Sequence, residues 1–248
     1  MWAVVVAGGS GSRFGAPKQF ASVAGRPLVA WALDAAASCA AGVVLVVPPG
    51  DAPGVAGDGA VVEAGGLQAD AVVPGGATRA ASVRAGLAAV PADVEIVVVH
   101  DAARPLATPS LFRTVVDALV ADPGLAAAIP GVPVTDTLKR LDGALVAATV
   151  PRDGLVAVQT PQAFRAAVLR RAHAAGGEAT DDAALVERVG GTVRVVEGEQ
   201  ANVKVTVERD LALVEMLLSD GEHRTPVTTG AQASDSRGLS GPGTEVGG

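Results

Sequence analysis

Residues 2–19 read WAVVVAGGSGSRFGAPKQ. Trp2 to Val6 form an apolar, valine-rich run, the pattern of a strand covered on both faces. A glycine-rich turn follows, from Ala7 to Gln19, with one arginine, Arg13, and one lysine, Lys18. Glycines at 8, 9, 11 and 15 permit positive φ and let backbone N–H groups approach phosphate oxygens where a Cβ would obstruct. Two better-known phosphate loops fail on spacing. A dinucleotide fingerprint needs Gly-x-Gly-x-x-Gly, but after Gly9 and Gly11 the third glycine comes one residue late, and no acidic residue closes the second strand, which runs from Val43 to Val47 into Pro48 and Pro49. A Walker loop needs Gly-Lys before Ser or Thr, whereas Gly15, Ala16 and Pro17 precede Lys18 and Gln19 follows it. The turn therefore reads as a grip for a nucleoside triphosphate, with Arg13 and Lys18 adding full charges.

Beyond this turn, apolar runs near 43–47, 70–73, 94–99 and 125–129 alternate with helix-like segments near 27–38, 79–89 and 109–120. This βαβ rhythm predicts an α/β fold with a mostly parallel, Rossmann-like sheet, whose ligands sit at the carboxyl ends of the strands. Three glycine- or charge-bearing loops fall there: the opening turn, Pro74 to Arg79, and His100 to Pro105. Between about 132 and 154 the rhythm breaks. Two short β-like runs, Thr137–Leu141 and Leu145–Thr149, flank Asp142-Gly143, a two-residue hairpin signal. A lone hairpin is marginal in water, so a projecting β-arm packing on a second copy of the chain is expected, giving a homodimer. Leu155 to Val158, helices near 163–175 and 181–189, a strand near 192–196 and a helix over Glu208–Leu218 complete a domain of residues 1–220. Residues 221–248, rich in Gly, Ser, Thr and Pro, read as a disordered tail.

Composition removes several function classes. A formal charge of −7 and 2% aromatic residues, with no tyrosine, supply neither a basic stripe nor a stacking platform, so a nucleic acid polymer is excluded as partner. No apolar stretch approaches the roughly 20 residues of a membrane helix, and no membrane partner is expected. The chain passes from Met1 directly into its first strand, and Cys39 is the single cysteine; a cytoplasmic location is the expectation. Because the net charge repels an anionic ligand, the cations Arg13, Lys18, Arg104, Arg152 and Lys204 attract attention.

Gly-x-Gly-x-Arg followed by Pro17-Lys18-Gln19 resembles the signature loop of sugar-phosphate nucleotidyltransferases. Five further strings follow in order: His100-Asp101-Ala102-Ala103-Arg104-Pro105, Asp136-Thr137-Leu138-Lys139, Gln159-Thr160-Pro161-Gln162, Thr180-Asp181-Asp182-Ala183 and Asn202-Val203-Lys204-Val205-Thr206. Together, over residues 2–218, they resemble the 2-C-methyl-D-erythritol 4-phosphate cytidylyltransferase family. The resemblance implies a nucleotidyltransferase-type fold and transfer of CMP from CTP to 2-C-methyl-D-erythritol 4-phosphate, a step of non-mevalonate isoprenoid synthesis. It also implies a homodimer and Mg²⁺ held largely by the CTP phosphates; the metal ligands stay open. By the same resemblance, Arg13, Lys18, Arg152 and Lys204 are catalytic. Ala7, Gly8, Gly9, Gly11, Gly76, Ser82 and Asp101 bind the nucleotide. Asp101, Arg104, Thr137, Arg152, Thr160 and Lys204 bind the acceptor, Thr137 and Arg152 reaching the partner's site on the arm. The sequence departs from the family pattern at Ala77, where an acidic residue is frequent, and at Ala201, where aspartate is usual.

Plainer readings stand beside these. Asp101 and Arg104 suit an ion pair at a strand end, His100 a structural role, Arg79 and Arg84 surface or dimer contacts, and Thr180-Asp181-Asp182 a helix N-cap. Lys204 on a strand would by itself be a solvated edge charge. Among functions, a cytidylyltransferase for another polyol phosphate such as ribitol 5-phosphate is the near alternative. A nucleotide-sugar glycosyltransferase is the distant one, and it lacks support because the chain contains no Asp-x-Asp.

Overall fold

The computed structural model describes residues 1–8, 18–49 and 69–219. Its elements in chain order are β1 (Trp2–Val6), β2 (Ser22–Val23), β3 (Arg26–Pro27), α1 (Leu28–Ala37), β4 (Val43–Val47), β5 (Ala71–Pro74), α2 (Arg79–Ala89), β6 (Ile96–Asp101) and α3 (Pro109–Ala121). Then follow β7 (Ala127–Pro133), β8 (Leu138–Asp142), β9 (Leu145–Val150), β10 (Val156–Val158), β11 (Gln162–Arg165), α4 (Ala166–Ala174), α5 (Asp182–Arg188), β12 (Val193–Glu197) and α6 (Asp210–Ser219).

Eight strands form one mixed sheet in the order β10-β7-β11-β6-β1-β4-β5, with β12 alongside β7. The pairs β1/β4, β1/β6, β4/β5 and β7/β12 are parallel. Successive strand residues point to opposite faces, and the valine runs divide accordingly. Ala3, Val5, Leu45 and Val98 pack with α1 and α3, including the fully buried Phe112. Val4, Val44, Val46, Val97 and Val99 pack on the other face with α2, α4 and α5. Helices thus cover both faces, which explains why β1, β4 and β6 carry no polar alternation before their final residues. Gly86 in α2 faces the sheet; a Cβ there would lie 2.5 Å from Val4 Cγ1, so glycine lets the helix approach β1.

The chain leaves β1 toward β4 on one side and enters β6 on the other. The strand order therefore reverses between β1 and β6, and the crevice beyond their carboxyl ends is where open α/β sheets hold ligands. Short contacts set that rim: the Ala7 amide donates to the Val46 carbonyl at 2.7 Å, Ala102 to Val6 at 3.0 Å, and Gly75 to Val47 at 2.7 Å.

Two expectations change. Residues 163–165, expected as the start of a helix, belong to β11, antiparallel between β6 and β7. The run Ala163 to Ala174 has helix-forming composition throughout, but Ala163 and Phe164 are fully buried, and pairing on both sides overrides local propensity. Lys204 sits in an irregular segment over 202–206 instead of a strand. Its neighbour Val205 is buried with Val23, Leu28, Trp31, Leu106, Val214 and Leu218, and the Val205 amide donates to the Ala103 carbonyl at 2.8 Å.

The expected hairpin is present. Among the described residues, β8 and β9 pair only with each other, as a two-stranded sheet separate from the main one. Gly143 at its turn has φ +57°, a left-handed conformation that glycine adopts without strain. Leu141, Leu145 and Val146 on this arm are exposed. The tail expected over 221–248 lies outside the described residues.

Candidate active site

A cleft of about 720 Å³ opens at the reversal point, lined by residues that include Ala7, Gly8, Gln19, Gly76, Thr78, Arg79, Ser82, Asp101, Ala103 and Lys204. One wall is the loop after β5. Thr78 caps α2, its Oγ1 accepting from the Ala81 amide at 3.1 Å, so the positive end of that helix faces the cleft. The Ser82 hydroxyl holds the same loop, accepting from the Gly76 amide at 3.1 Å and donating to the Thr78 carbonyl at 3.0 Å. A Cβ on Gly76 would lie 2.4 Å from Ala81 Cβ, and one on Gly8 would lie 3.0 Å from Ser82 Oγ. Gly76 is thus closed to a side chain, and Gly8 packs tightly against Ser82.

At the floor stands Asp101, the last residue of β6. Its amide donates to Thr160 Oγ1 at 3.0 Å. Its Oδ2 accepts from Lys204 Nζ at 2.6 Å and its Oδ1 from Arg79 Nε at 3.2 Å. Burial alone would raise the Asp101 carboxyl, but the Arg79 and Lys204 cations outweigh it and hold the group well below the usual carboxylate range. Arg79 reaches a second carboxylate, Asp182 Oδ2, at 2.7 Å from Nη1. Burial works against the Arg79 cation, yet Asp101 and Asp182 together raise its pKa above the ordinary arginine value.

Behind the cleft, Arg104 points into the protein: Nη1 donates to the Asn202 carbonyl at 2.7 Å and Nη2 to the Val158 carbonyl at 3.3 Å. Burial lowers its pKa against the pull of Asp101. Gln159 joins the same wall, its Nε2 donating to the Glu199 carbonyl at 2.8 Å while its Oε1 accepts from the Glu199 amide at 3.1 Å. Asn202 Nδ2 donates to the Thr160 carbonyl at 2.9 Å. This scaffold sets the 202–206 segment, and through it Lys204, against β6.

Of the residues expected at the site, Ala7, Gly8, Gly76, Ser82, Asp101 and Lys204 come together around the cleft. Arg13, Gly9 and Gly11 lie outside the described residues; for Lys18 only the backbone is described, opening a one-turn helix over Lys18–Phe20. Thr160 is buried, its hydroxyl engaged by Asp101 and His100, and Arg104 is spent on carbonyls; neither lines the cleft. Thr137 and Arg152 are exposed at the base of the arm, away from the cleft of their own chain, and Arg152 donates to the Thr135 carbonyl.

Three plainer readings are corrected. The carboxylate of Asp101 pairs with Arg79 and Lys204 and not with Arg104. Arg79, expected at the surface or in a dimer contact, is 24% exposed in the cleft wall and links Asp101 to Asp182. Asp181 is the helix cap, accepting from the Ala184 amide at 3.0 Å, whereas Asp182 is fully buried, ion-paired with Arg79 and hydrogen-bonded to His173. The place of Arg79, immediately after a glycine loop at a strand's carboxyl end, was a signal that could have found it; nothing local marked Asp182 as its partner, 103 positions away.

The arrangement, cations and backbone amides around a crevice wide enough for a nucleotide, agrees with what the chain is similar to. The family described as "IspD: 2-C-methyl-D-erythritol 4-phosphate cytidylyltransferase" matches over residues 1–220. A 2-C-methyl-D-erythritol 4-phosphate cytidylyltransferase of Cupriavidus pinatubonensis is 45% identical over 242 residues, covering 90% of this chain and 96% of that one. Another, from Nocardia farcinica, is 46% identical over 222 residues, covering 87% and 93%. A bifunctional enzyme IspD/IspF of Granulibacter bethesdensis is 46% identical over 221 residues, 88% of this chain but 56% of the relative. Among solved structures, the 2-C-methyl-D-erythritol 4-phosphate cytidylyltransferase of Thermus thermophilus superposes with a TM-score of 0.73 at 39% identity, covering 87% of this chain and 98% of that one. Motif order, strand topology and near full-length similarity converge: the chain belongs to the 2-C-methyl-D-erythritol 4-phosphate cytidylyltransferase family.

Proposed function

We propose that this chain transfers CMP from CTP to 2-C-methyl-D-erythritol 4-phosphate, giving 4-diphosphocytidyl-2-C-methyl-D-erythritol and pyrophosphate. The observation that carries the reading is Lys204 Nζ held at 2.6 Å from Asp101 on the floor of the cleft, among lining residues that include Gly8 and Gly76, the latter closed to a side chain. An oxygen of the acceptor phosphate attacks the α-phosphorus of CTP. A new P–O bond forms, the bond to the β-phosphate bridge breaks, and pyrophosphate leaves with the electron pair. Charge on the nonbridging oxygens is met by cations already in place, which is how such transfers are accelerated. Lys204 exchanges Asp101 for an α-phosphate oxygen; Ala7, Gly8, Gly76 and Ser82 enclose the nucleoside; Arg13 and Lys18 serve the triphosphate. Asp101 Oδ2, the oxygen freed when Lys204 moves while Oδ1 stays with Arg79, would suit Mg²⁺, which takes one or two carboxylates and completes its shell with substrate phosphates and water. Among the described residues no cluster of three or more His, Cys, Asp or Glu could hold a metal by itself. When bound, the metal neutralises phosphate charge.

The reading includes a homodimer. Leu145 and Val146 are 77% and 60% exposed on an arm without a sheet of its own to join, and a second copy would cover them while bringing Thr137 and Arg152 to the acceptor. It also includes a cytoplasmic setting, where CTP is made; among the described residues no helix is long and apolar enough to cross a membrane. Pyrophosphate release by the purified chain with CTP and a panel of polyol phosphates tests the assignment. Preference for the methylerythritol phosphate is expected; preference for ribitol 5-phosphate transfers the assignment to that acceptor.

A further inference from the structure

Four charges of alternating sign run inward from the cleft. Lys204 Nζ lies 2.6 Å from Asp101, Asp101 lies 3.2 Å from Arg79, and Arg79 lies 2.7 Å from Asp182. Lys204, the outer end, is 45% exposed in its side chain and Asp182, the inner end, 1%, with Asp101 at 10% and Arg79 at 24% between them. The inner end is fixed. Asp182 opens α5, where the helix N-terminus favours a carboxylate, and its second oxygen, Oδ1, accepts from Nε2 of the buried His173 at 2.9 Å. Both oxygens therefore have separate donors, so the carboxylate cannot turn without stranding one of them.

From this geometry we infer that Asp182, steadied by His173, is a positioning residue for cytidylyl transfer: it holds Arg79 so that Asp101 keeps one oxygen for Lys204. The inference rests on the function proposed above. Its physical basis is competition for the guanidinium. An arginine fork beside a single carboxylate pairs bidentately, using both oxygens. Here Nη1 is drawn to Asp182, and Nε and Nη2 both lie 3.2 Å from the single oxygen Oδ1 of Asp101, so the guanidinium sits tilted off the bidentate position and Oδ2 stays with Lys204. Without the Asp182 charge, Arg79 is released to cover both Asp101 oxygens. Lys204 then loses the contact that places its ammonium before the triphosphate arrives. A buried ion pair adds little net stability over an apolar replacement, whereas a misplaced reacting group costs catalysis heavily.

The test compares wild type, Asp182→Asn, His173→Leu, His173→Gln, Lys204→Ala and the Asp182→Asn/Lys204→Ala pair, in kcat and KM for CTP and methylerythritol phosphate, with thermal unfolding as control. Asp182→Asn replaces the charge by a neutral amide with a donor facing His173, so kcat should fall roughly 10- to 100-fold while KM for CTP changes by less than about threefold. His173→Leu should also lose kcat. His173→Gln, which can present an N–H near the Nε2 position, should stay within about threefold of wild type. In the Lys204→Ala background, Asp182→Asn should cost less than about threefold more, because its effect passes through the missing ammonium. Wild-type turnover with an undiminished Asp182→Asn enzyme overturns this inference alone, as does a loss that multiplies fully with Lys204→Ala. If Asp182→Asn does not fold, equal kcat for the two His173 variants overturns it. Absence of wild-type turnover overturns the parent reading together with this one.

Discussion

Acidification should destabilise the fold through one histidine. His100 is fully buried one residue before the end of β6, its ring 5.1 Å from that of Phe112. The Thr160 hydroxyl already accepts from the Asp101 amide, so its proton is free for His100 Nδ1 at 3.1 Å, and Nε2 carries the ring hydrogen toward the Arg104 carbonyl at 3.2 Å. This is the neutral tautomer with both nitrogens satisfied. Burial pushes the His100 pKa down to about 4, against the opposing pull of Asp101. The unfolded chain binds this proton below about 6.5, the folded chain only near 4. Between those values the unfolded state holds more protons, so stability is full above the upper limit and declines as pH falls. The whole interval corresponds to about 3 kcal/mol, and the step from pH 7 to pH 5 to roughly 2 kcal/mol. For a domain of this size that is a drop of about 4–8 °C in Tm. Thermal or urea unfolding of wild type and His100→Gln at both pH values isolates the contribution, since glutamine does not titrate. Wild type should lose roughly 2 kcal/mol more than the variant. Equal losses would refute the reasoning. Asp101 acts in the same direction, but its lowered pKa places its contribution below the unfolded carboxylate value near 4, outside this window.

Gly76→Val places a Cβ 2.4 Å from Ala81 Cβ; the loop must shift, and KM for CTP should rise at least roughly tenfold with the protein still folded. An unchanged KM would remove this loop from the nucleotide site. Charging the arm with Leu145→Asp and Val146→Asp should convert a dimer to monomer in light scattering and suppress turnover together; a variant that keeps both the dimeric mass and the rate would show that the arm serves neither.

The parallel core was legible because β1, β4 and β6 are buried on both faces and their sequence is correspondingly an unbroken, valine-rich apolar run up to the polar residues at the end of β6. Each strand end then pointed to a loop, and those loops contain Gly8, Gly76 and Asp101 at the cleft. The arm was legible from Asp142-Gly143, a turn whose geometry is local. What could not be read was set by distant partners. Helix propensity runs continuously across Ala163 and Phe164, and only the gap between β6 and β7 makes them a strand. Thr160 matches the family string, yet its hydroxyl is consumed by a histidine 60 positions away. Arg79 and Asp182 each look like ordinary helix-terminal residues until the fold places them 2.7 Å apart.

On this reading cytidylyl transfer occurs in the crevice beyond β1 and β6, with Lys204 meeting the α-phosphate. A crystal structure with CTP tests it most directly. The cytosine should lie between the loops carrying Gly8 and Gly76, and Lys204 Nζ should have moved from Asp101 to an oxygen of the α-phosphate. A nucleotide bound elsewhere, or Lys204 still paired with Asp101 beside a bound triphosphate, would contradict it.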